Sequence, residues 1–309
     1  MSEDLLAGFS HRDVDVEHDQ GGTTLRVATA GDGPPVLLLH GHPQNHLTWS
    51  RVAPALAEDH TVVCPDLRGY GDSAKPRGGG DHAAYSKRTM AADVVALMAS
   101  LGHERFAFVG HDRGGRVGHR AALDHPDAVT RLAVIDIAPT RTMYERTDMA
   151  FAAGYWHWFF LIQPEPWPER MIGADPDAFL RPHHDSQLAD PAAADPRLYA
   201  DYLRCYSQEA MIHAVCEDYR ASATIDLDHD RADADARVAV PLLALWGEAG
   251  LVGRTYDVLA TWREKAADDA LVTGRALAGR HSLQEEASDE VLAELRPWLA
   301  APASDGAGR

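Results

Sequence analysis

The sequence predicts an α/β fold, a mostly parallel sheet flanked by helices and interrupted once by a helical insertion. Three observations predict it. Short, unbroken apolar runs recur as PPVLLLHG (34–41), TVVCPDL (61–67), RFAFVGHD (105–112), RLAVIDI (131–137) and VAVPLLALWGE (238–248). A run that is apolar at nearly every position marks a strand buried on both faces, as in a parallel sheet. Helical stretches separate these runs: in TMAADVVALMASLG (89–102), Met90, Val94, Leu97, Met98 and Leu101 fall near one face. Strand signals vanish from about Thr140 to Asp230, where YWHWFF (155–160) and QPEPWPER (163–170) bring aromatics and prolines together. The expected organisation is a core domain of residues 1–139 and 231–309 with a helical cap at 140–230.

The remaining elements follow in order. Residues 14–16 and 24–27 read as two early strands, joined as a hairpin through Asp19-Gln20-Gly21-Gly22. After the insertion come the strand within 238–248, a helix near 256–265, a short strand near 271–277 and a last helix near 283–299. The final APASDGAGR has the composition of a frayed tail. There is no internal repeat.

Composition narrows the function. The chain of 309 residues is 45% hydrophobic and 25% charged, enough apolar material for a sizeable core. No apolar run approaches the ~20 residues a membrane span needs. Acidic residues outnumber basic ones 47 to 29, a net charge of −18, which argues against nonspecific binding to nucleic acid. Cys64, Cys205 and Cys216 follow no metal-ligand spacing and form no even framework, so they read as reduced thiols. The opening MSEDLLAGFSHRDVDVEHD lacks a basic stretch followed by an apolar one, so no signal peptide is expected and the cytoplasm is the expected location.

The chemistry centres on Val109-Gly110-His111-Asp112-Arg113-Gly114-Gly115. This is Gly-x-nucleophile-x-Gly between a buried strand and a helix, the form of a nucleophile elbow. Such a turn is tight, and side chains at its glycines would strike neighbouring backbone. An aspartate there also suits an ordinary helix N-cap. Two further pieces favour the elbow. His40-Gly41-His42-Pro43 follows an apolar run, placing the His42 N–H as half of an oxyanion hole whose other half is the Arg113 N–H. His281 lies between the last strand signal and the final helix. With Asp66-Leu67-Arg68-Gly69-Tyr70-Gly71-Asp72-Ser73, the set resembles the α/β-hydrolase superfamily across nearly the whole chain. The resemblance implies an α/β-hydrolase fold with an inserted helical cap, and places His281 at the position of the catalytic histidine.

A carboxylate at the elbow changes the reaction. It is already ionised and can displace a leaving group from an sp3 carbon, forming an ester with the enzyme. His281 would then activate water against that ester. This points to dehalogenation or epoxide opening, and away from esterase, lipase or peptidase activity. The third triad member orients His281. In many of the proteins this set resembles, that member follows the strand read here in LLALWG, where this chain has Glu248-Ala249-Gly250 with no aspartate; the alternative position is the end of the preceding core strand, which Asp136 fills, so the resemblance favours Asp136 over Glu248.

At this point the resemblance sharpens to the haloacetate (fluoroacetate) dehalogenase family. Its specific part is His111-Asp112-Arg113-Gly114-Gly115-Arg116. Arg113 and Arg116 leave the first helical turn together, and two guanidiniums suit a substrate that carries its own carboxylate. Tyr155-Trp156-His157-Trp158 resembles the family's His-Trp pair, mapping onto His157 and Trp158. Cys216-Glu217-Asp218-Tyr219-Arg220-Ala221 resembles the segment with its halide-binding tyrosine, mapping onto Tyr219. The resemblance thus implies His157, Trp158 and Tyr219 as three neutral donors to the departing halide, and a homodimer. Trp156, Phe159 and Phe160 read as packing. The chain departs from the family at His42, which is usually Phe, and at Arg280-His281-Ser282, which replaces Gly-His-aromatic. Arg280 is expected to lower the pKa of His281.

The expected reaction is hydrolysis of a haloacetate or short 2-haloacid to the 2-hydroxyacid and halide. The partners are the halogenated carboxylate and water, with no cofactor. Seventeen histidines invite a metal reading, but His40-x-His42…His46 lies in the oxyanion loop and His183-His184-Asp185 reads as a polar cap loop, so no metal is expected. Gly78-Gly79-Gly80 lacks the lysine of a phosphate-binding loop. The first rival is an epoxide hydrolase sharing Asp112 and His281, with Tyr155 and Tyr219 as acids. The second is a non-catalytic ligand-binding member of the fold, disfavoured because every catalytic position is filled.

Overall fold

A computed structural model of the chain describes residues 3–301. The tail expected to fray at 302–309 lies outside the described residues, as do residues 1–2 of the opening segment. Eight strands form one sheet: β1 (Ser10–Val16), β2 (Thr23–Ala30), β3 (Pro35–Leu39), β4 (Thr61–Pro65), β5 (Phe106–His111), β6 (Val129–Ile135), β7 (Leu242–Gly247) and β8 (Val272–Leu277). Their order is β1-β2-β4-β3-β5-β6-β7-β8. β1 pairs antiparallel with β2, and β2 with β4. From β4 to β8 all pairs are parallel.

The apolar runs occupy the middle of this sheet because helices cover both its faces there. Every residue of β5 is buried. The edges read less clearly. β1 begins at Ser10, four residues before the strand expected at 14–16, because Ser10-His11-Arg12-Asp13 carries no apolar signal. Its pairing with β2, from Ser10 opposite Thr29 to Val16 opposite Thr23, makes it a strand. An edge strand exposed to water on one face can be polar in sequence and still hold its ladder.

The helix Arg113–Asp124 follows β5 and lies directly on the sheet. A Cβ on Gly114 would collide with the carbonyl oxygens of Leu39 and His40. Close approach of helix to strand, rather than turn geometry alone, therefore excludes a side chain there. The helix expected at 256–265 is Val258–Arg263, preceded by a short helix Leu251–Thr255. The last helix divides into Leu283–Glu286 and Ser288–Ala300. The short turn before the break is tied to the core: Glu285 Oε1 accepts from Gln44 Nε2 at 2.7 Å, Thr48 Oγ1 at 2.6 Å and Tyr202 OH at 2.8 Å.

Between β6 and β7 all described regular secondary structure is helical, including Trp156–Leu161, Pro176–Ser186, Pro196–Tyr206 and Glu209–Ala223. Among the described residues no helix is long and apolar enough to cross a membrane. The three cysteines are free and buried. Because β3, β5, β6 and β7 run parallel, the loops leaving their carboxyl ends gather along one edge of the sheet, the edge where such folds bind ligands.

Candidate active site

Asp112 leaves β5 with φ 44° and ψ −115°, a conformation that a non-glycine residue holds only when its surroundings impose it. Its side chain does not cap the helix behind it. Instead Oδ2 accepts a hydrogen bond from the His42 N–H at 3.1 Å. The loop can approach because residue 41 is glycine: a Cβ there would sit 2.5 Å from Asp112 Cβ and 2.9 Å from the Arg113 nitrogen. Burial alone would raise the Asp112 pKa, but the charges of His281, Arg116 and Arg113 outweigh it and hold the carboxyl well below its usual range.

His281 and Asp136 meet at the same edge. Asp136 follows β6 with φ 52°, a second strained non-glycine residue. Its Oδ2 lies 2.6 Å from His281 Nδ1, and its Oδ1 accepts from the Gly247 N–H at 3.0 Å. Glu248 is exposed, and its N–H donates to the Leu277 carbonyl. Burial pushes the His281 pKa down, but the hydrogen bond to Asp136 and the charges of Asp136 and Asp112 prevail, so it stands above 6.5. Arg280 was expected to lower it, but the net shift is upward. Arg280 is exposed, with its guanidinium at the Ser186 carbonyl, and Arg116 is the cation that opposes the rise.

The two arginines are both buried but differently held. Arg113 Nε donates to Asp218 Oδ2 at 2.8 Å and Nη2 to Asp218 Oδ1 at 2.7 Å, the fork geometry of a strong pair. Lys87 also binds Asp218, and Tyr70 OH donates to it at 2.6 Å. Arg113 Nη1 has no partner. Arg116 donates to the Ala138 carbonyl at 3.2 Å and to Thr140 Oγ1 at 3.0 Å, and its Nε has no partner. Among the described residues it forms no ion pair.

A cavity of about 240 Å³ opens beside these groups, lined by Asp112, His281, His157, Trp158 and Tyr219 among others. The structure therefore brings both sequence-nominated sets to one space. Arg113 and Arg116 stand behind the lining: Arg113 lies 4.2 Å over the Tyr219 ring and Arg116 4.8 Å over the Trp158 ring. Trp156, expected in the packing, is 48% exposed and lines the cavity. Its ring meets Phe160, Phe179 and His157 at 5.8–6.3 Å between centroids, and about half of the residue stays open to solvent. His183 and His184, expected in a polar loop, are buried in the helix Pro176–Ser186. Their helix presses on the oxyanion loop, with the His183 and His42 rings 5.0 Å apart.

The model of the alpha/beta hydrolase fold matches residues 34–286. A fluoroacetate dehalogenase from Burkholderia sp is 46% identical over 96% of this chain and 95% of its own length. The chain belongs to the haloacetate (fluoroacetate) dehalogenase family of the α/β-hydrolase superfamily. A soluble epoxide hydrolase from Corynebacterium sp. (strain C12) is more distant, 34% identical over 82% of this chain and 87% of its own. A solved α/β-hydrolase structure from Nostoc sp PCC 7120 matches with a TM-score of 0.92 and 50% identity, covering 96% of this chain and all of that one.

In this α/β hydrolase several groups that build the site were not nominated from sequence. Asp218 fixes Arg113, although its neighbour Tyr219 was picked out; a carboxylate inside a mostly buried helix was the available signal. His111, inside the elbow, lies between Gln284 and the His281 carbonyl oxygen, which is 2.9 Å from its Nε2. Burial lowers the His111 pKa to about 3, so it stays neutral and its Nε2–H can donate to that carbonyl. His183 likewise falls to about 3 through burial. Both lie in segments that stand out in the sequence, His111 in the elbow and His183 in His183-His184-Asp185, but nothing in the linear sequence places them against His281 or the oxyanion loop.

Proposed function

We propose that this enzyme hydrolyses a haloacetate or a short 2-haloacid to the 2-hydroxyacid and halide through an ester on Asp112. One observation carries the reading. Arg116 is a buried guanidinium with an unpartnered Nε and no ion pair among the described residues, and its charge acts directly on the elbow aspartate. A buried cation of this kind asks for an anion, and a substrate carboxylate supplies one. Arg113 Nη1 offers a second free donor.

Asp112 Oδ2 already occupies the donor site of His42, so Oδ1 is the attacking atom. It displaces the halogen from the sp3 carbon. A C–O bond forms, the C–X bond breaks, and the halide leaves with the electron pair toward His157, Trp158 and Tyr219. These are neutral donors, His157 because burial and the neighbouring His183 hold its pKa well below 6.5. Alkylation discharges Asp112 and so removes one of the charges that raise the His281 pKa. The base becomes freer when it is needed. His281 then takes a proton from water, whose oxygen attacks Cγ of the ester. Oδ2 takes the developing charge against the His42 N–H and, with it, the Arg113 N–H at the head of its helix. Collapse expels the 2-hydroxyacid, whose new oxygen comes from Asp112, and His281 returns the proton. Residues 140–230 act as the cap that carries the halide donors. The reading extends to fluoride as a leaving group, a cytoplasmic location and a homodimer.

The epoxide reading draws on Tyr155, which lines the cavity with Tyr219. An apolar epoxide gives Arg116 nothing to bind. The test is halide release from fluoro-, chloro- and bromoacetate, with styrene oxide opening measured alongside, in the unaltered enzyme and in Arg116→Gln. Loss of a charged hydrogen bond is expected to lower kcat/KM for haloacetates about 10- to 100-fold. Haloacetate turnover that survives Arg116→Gln unchanged, or a preference for styrene oxide, would overturn the reading. Arg113 is the poorer probe, because its removal also strips Asp218 of its principal partner.

A further inference from the structure

The cavity mouth carries two further cations, Arg254 and Arg280. They arrive from different parts of the fold. Arg254 lies in the last turn of the short helix after β7, and Arg280 stands in the loop after β8, next to His281. Both are exposed. Each guanidinium holds only a backbone carbonyl: Arg254 Nε donates to Gly250 O at 3.2 Å and Arg280 Nη1 to Ser186 O at 3.4 Å, while the Arg280 backbone N–H donates to Glu286 Oε1 at 2.6 Å. Among the described residues neither forms an ion pair. Some exposed arginines of this chain are neutralised, Arg204 by Asp72 and Arg275 by Glu294, and others, such as Arg237, hold only backbone carbonyls; what sets Arg254 and Arg280 apart is that both line the cavity.

This arrangement matters because the chain as a whole repels anions. Its net charge is −18, while the proposed substrate and both products are anionic. Asp112 is the one acid lining the cavity, and the buried cations beside it already act on its charge. Free cations at the rim reverse the sign of the local potential where an approaching carboxylate meets it. Paired arginines would not, because their fields cancel within a few ångströms.

We infer that Arg254 and Arg280 form a cationic collar that draws the anionic substrate into the cavity and sets the preference for charged over neutral substrates. The inference rests on the proposed haloacid reaction and adds the residues that govern capture. Neither arginine touches the reacting atoms. The substrate keeps its charge from free solution to transition state, so the collar acts on kcat/KM and KM and leaves kcat alone. At a distance of about 8 Å in a water-like dielectric, one charge changes association about twofold. The pair is worth about fourfold to fivefold at low salt, and ~0.5 M salt should erase it.

The experiment measures kcat/KM for chloroacetate and, separately, glycolate affinity by tryptophan fluorescence, since Trp156 and Trp158 line the cavity. Both are followed from low to high ionic strength in the unaltered enzyme, Arg254→Gln, Arg280→Gln and the double variant. Arg231→Gln, an exposed residue paired with Asp228 outside the cavity lining, controls for the change in net charge. The expected result is a stepwise loss in kcat/KM and glycolate affinity at low salt, flatter salt dependence in the double variant, unchanged kcat, and no effect of Arg231→Gln. Salt profiles that coincide for the unaltered and double-variant enzymes, with turnover intact, would overturn the collar alone. Failure of the unaltered enzyme to bind glycolate and to release halide would overturn the proposed function and the collar with it.

Discussion

Asp136→Asn is the sharpest perturbation of the proposed mechanism, because the structure shows what the amide cannot do. Asp136 accepts two N–H groups, from Gly247 on Oδ1 and from His281 Nδ1 on Oδ2. Asparagine has one acceptor oxygen. If it faces Gly247, its NH2 group meets His281, and the imidazole must present a bare Nδ1 and carry its proton on Nε2. That tautomer cannot take a proton from water. If it faces His281, two donors oppose each other at Gly247. Even without a tautomer change, the imidazolium formed during water attack loses a carboxylate whose Coulomb attraction at about 4 Å and an effective dielectric near 20 is about 4 kcal/mol. The ester-hydrolysis step should therefore slow about 10³-fold. Alkylation uses Asp112, which Asp136 does not touch, so halide should still be released in a burst of one equivalent. Intact-mass measurement should show the ester on the protein, and peptide mapping should place it on Asp112. A variant that loses turnover without accumulating any adduct, or that turns over at the unaltered rate, would refute the division of labour between the two aspartates.

Two further outcomes follow from charges already described. Removing the Asp112 charge with Asp112→Asn should lower the His281 pKa, since that carboxylate is one of the groups raising it; imidazole C–H titration by NMR, assigned by difference against His281→Gln, checks this. An equal or higher value would mean that the pair does not communicate. Asp218→Asn leaves Arg113 buried with a neutral partner and Lys87 with only the longer pair to Asp226 at 3.7 Å, and should cost about 3–5 kcal/mol, read as a drop in melting temperature. The charges of Arg113 and Lys87 outweigh burial and hold the Asp218 pKa well below 3.8, so its stabilisation is fully present above that value and is lost as pH falls toward the depressed one. A variant whose melting temperature matches the unaltered protein at pH 7 would show that the network contributes nothing.

The readability of this fold followed its burial. The runs at β3, β5, β6 and β7 were legible because helices cover both faces of the sheet there, leaving no exposed position to carry a polar residue. The first half of β1 was not, since Ser10-His11-Arg12-Asp13 gains its strand identity only from pairing with β2. The break at Ala287 was equally hidden. A continuous helix pattern covers 283–299, and the anchor that holds its first turn, Glu285, finds its partners at Gln44, Thr48 and Tyr202.

The site divides along a different line. Asp112 could be nominated from the glycine-framed elbow at the end of β5, and His281 and Asp136 through the family resemblance; strand ends in a parallel sheet converge on one edge, which brings the three together. What sequence could not rank was the two arginines. Both leave the same helical turn and look equivalent as text. In three dimensions Arg113 is locked by Asp218, 105 residues away, and Arg116 is left with backbone, hydroxyl and thioether contacts. The locked arginine is held rigidly enough to place one free N–H. The unlocked one forms no ion pair among the described residues, and the carboxylate its charge acts on is Asp112. If a substrate carboxylate completes the site, it is Arg116 whose buried charge it neutralises, and binding affinity should depend on that residue more steeply than on its better-connected neighbour.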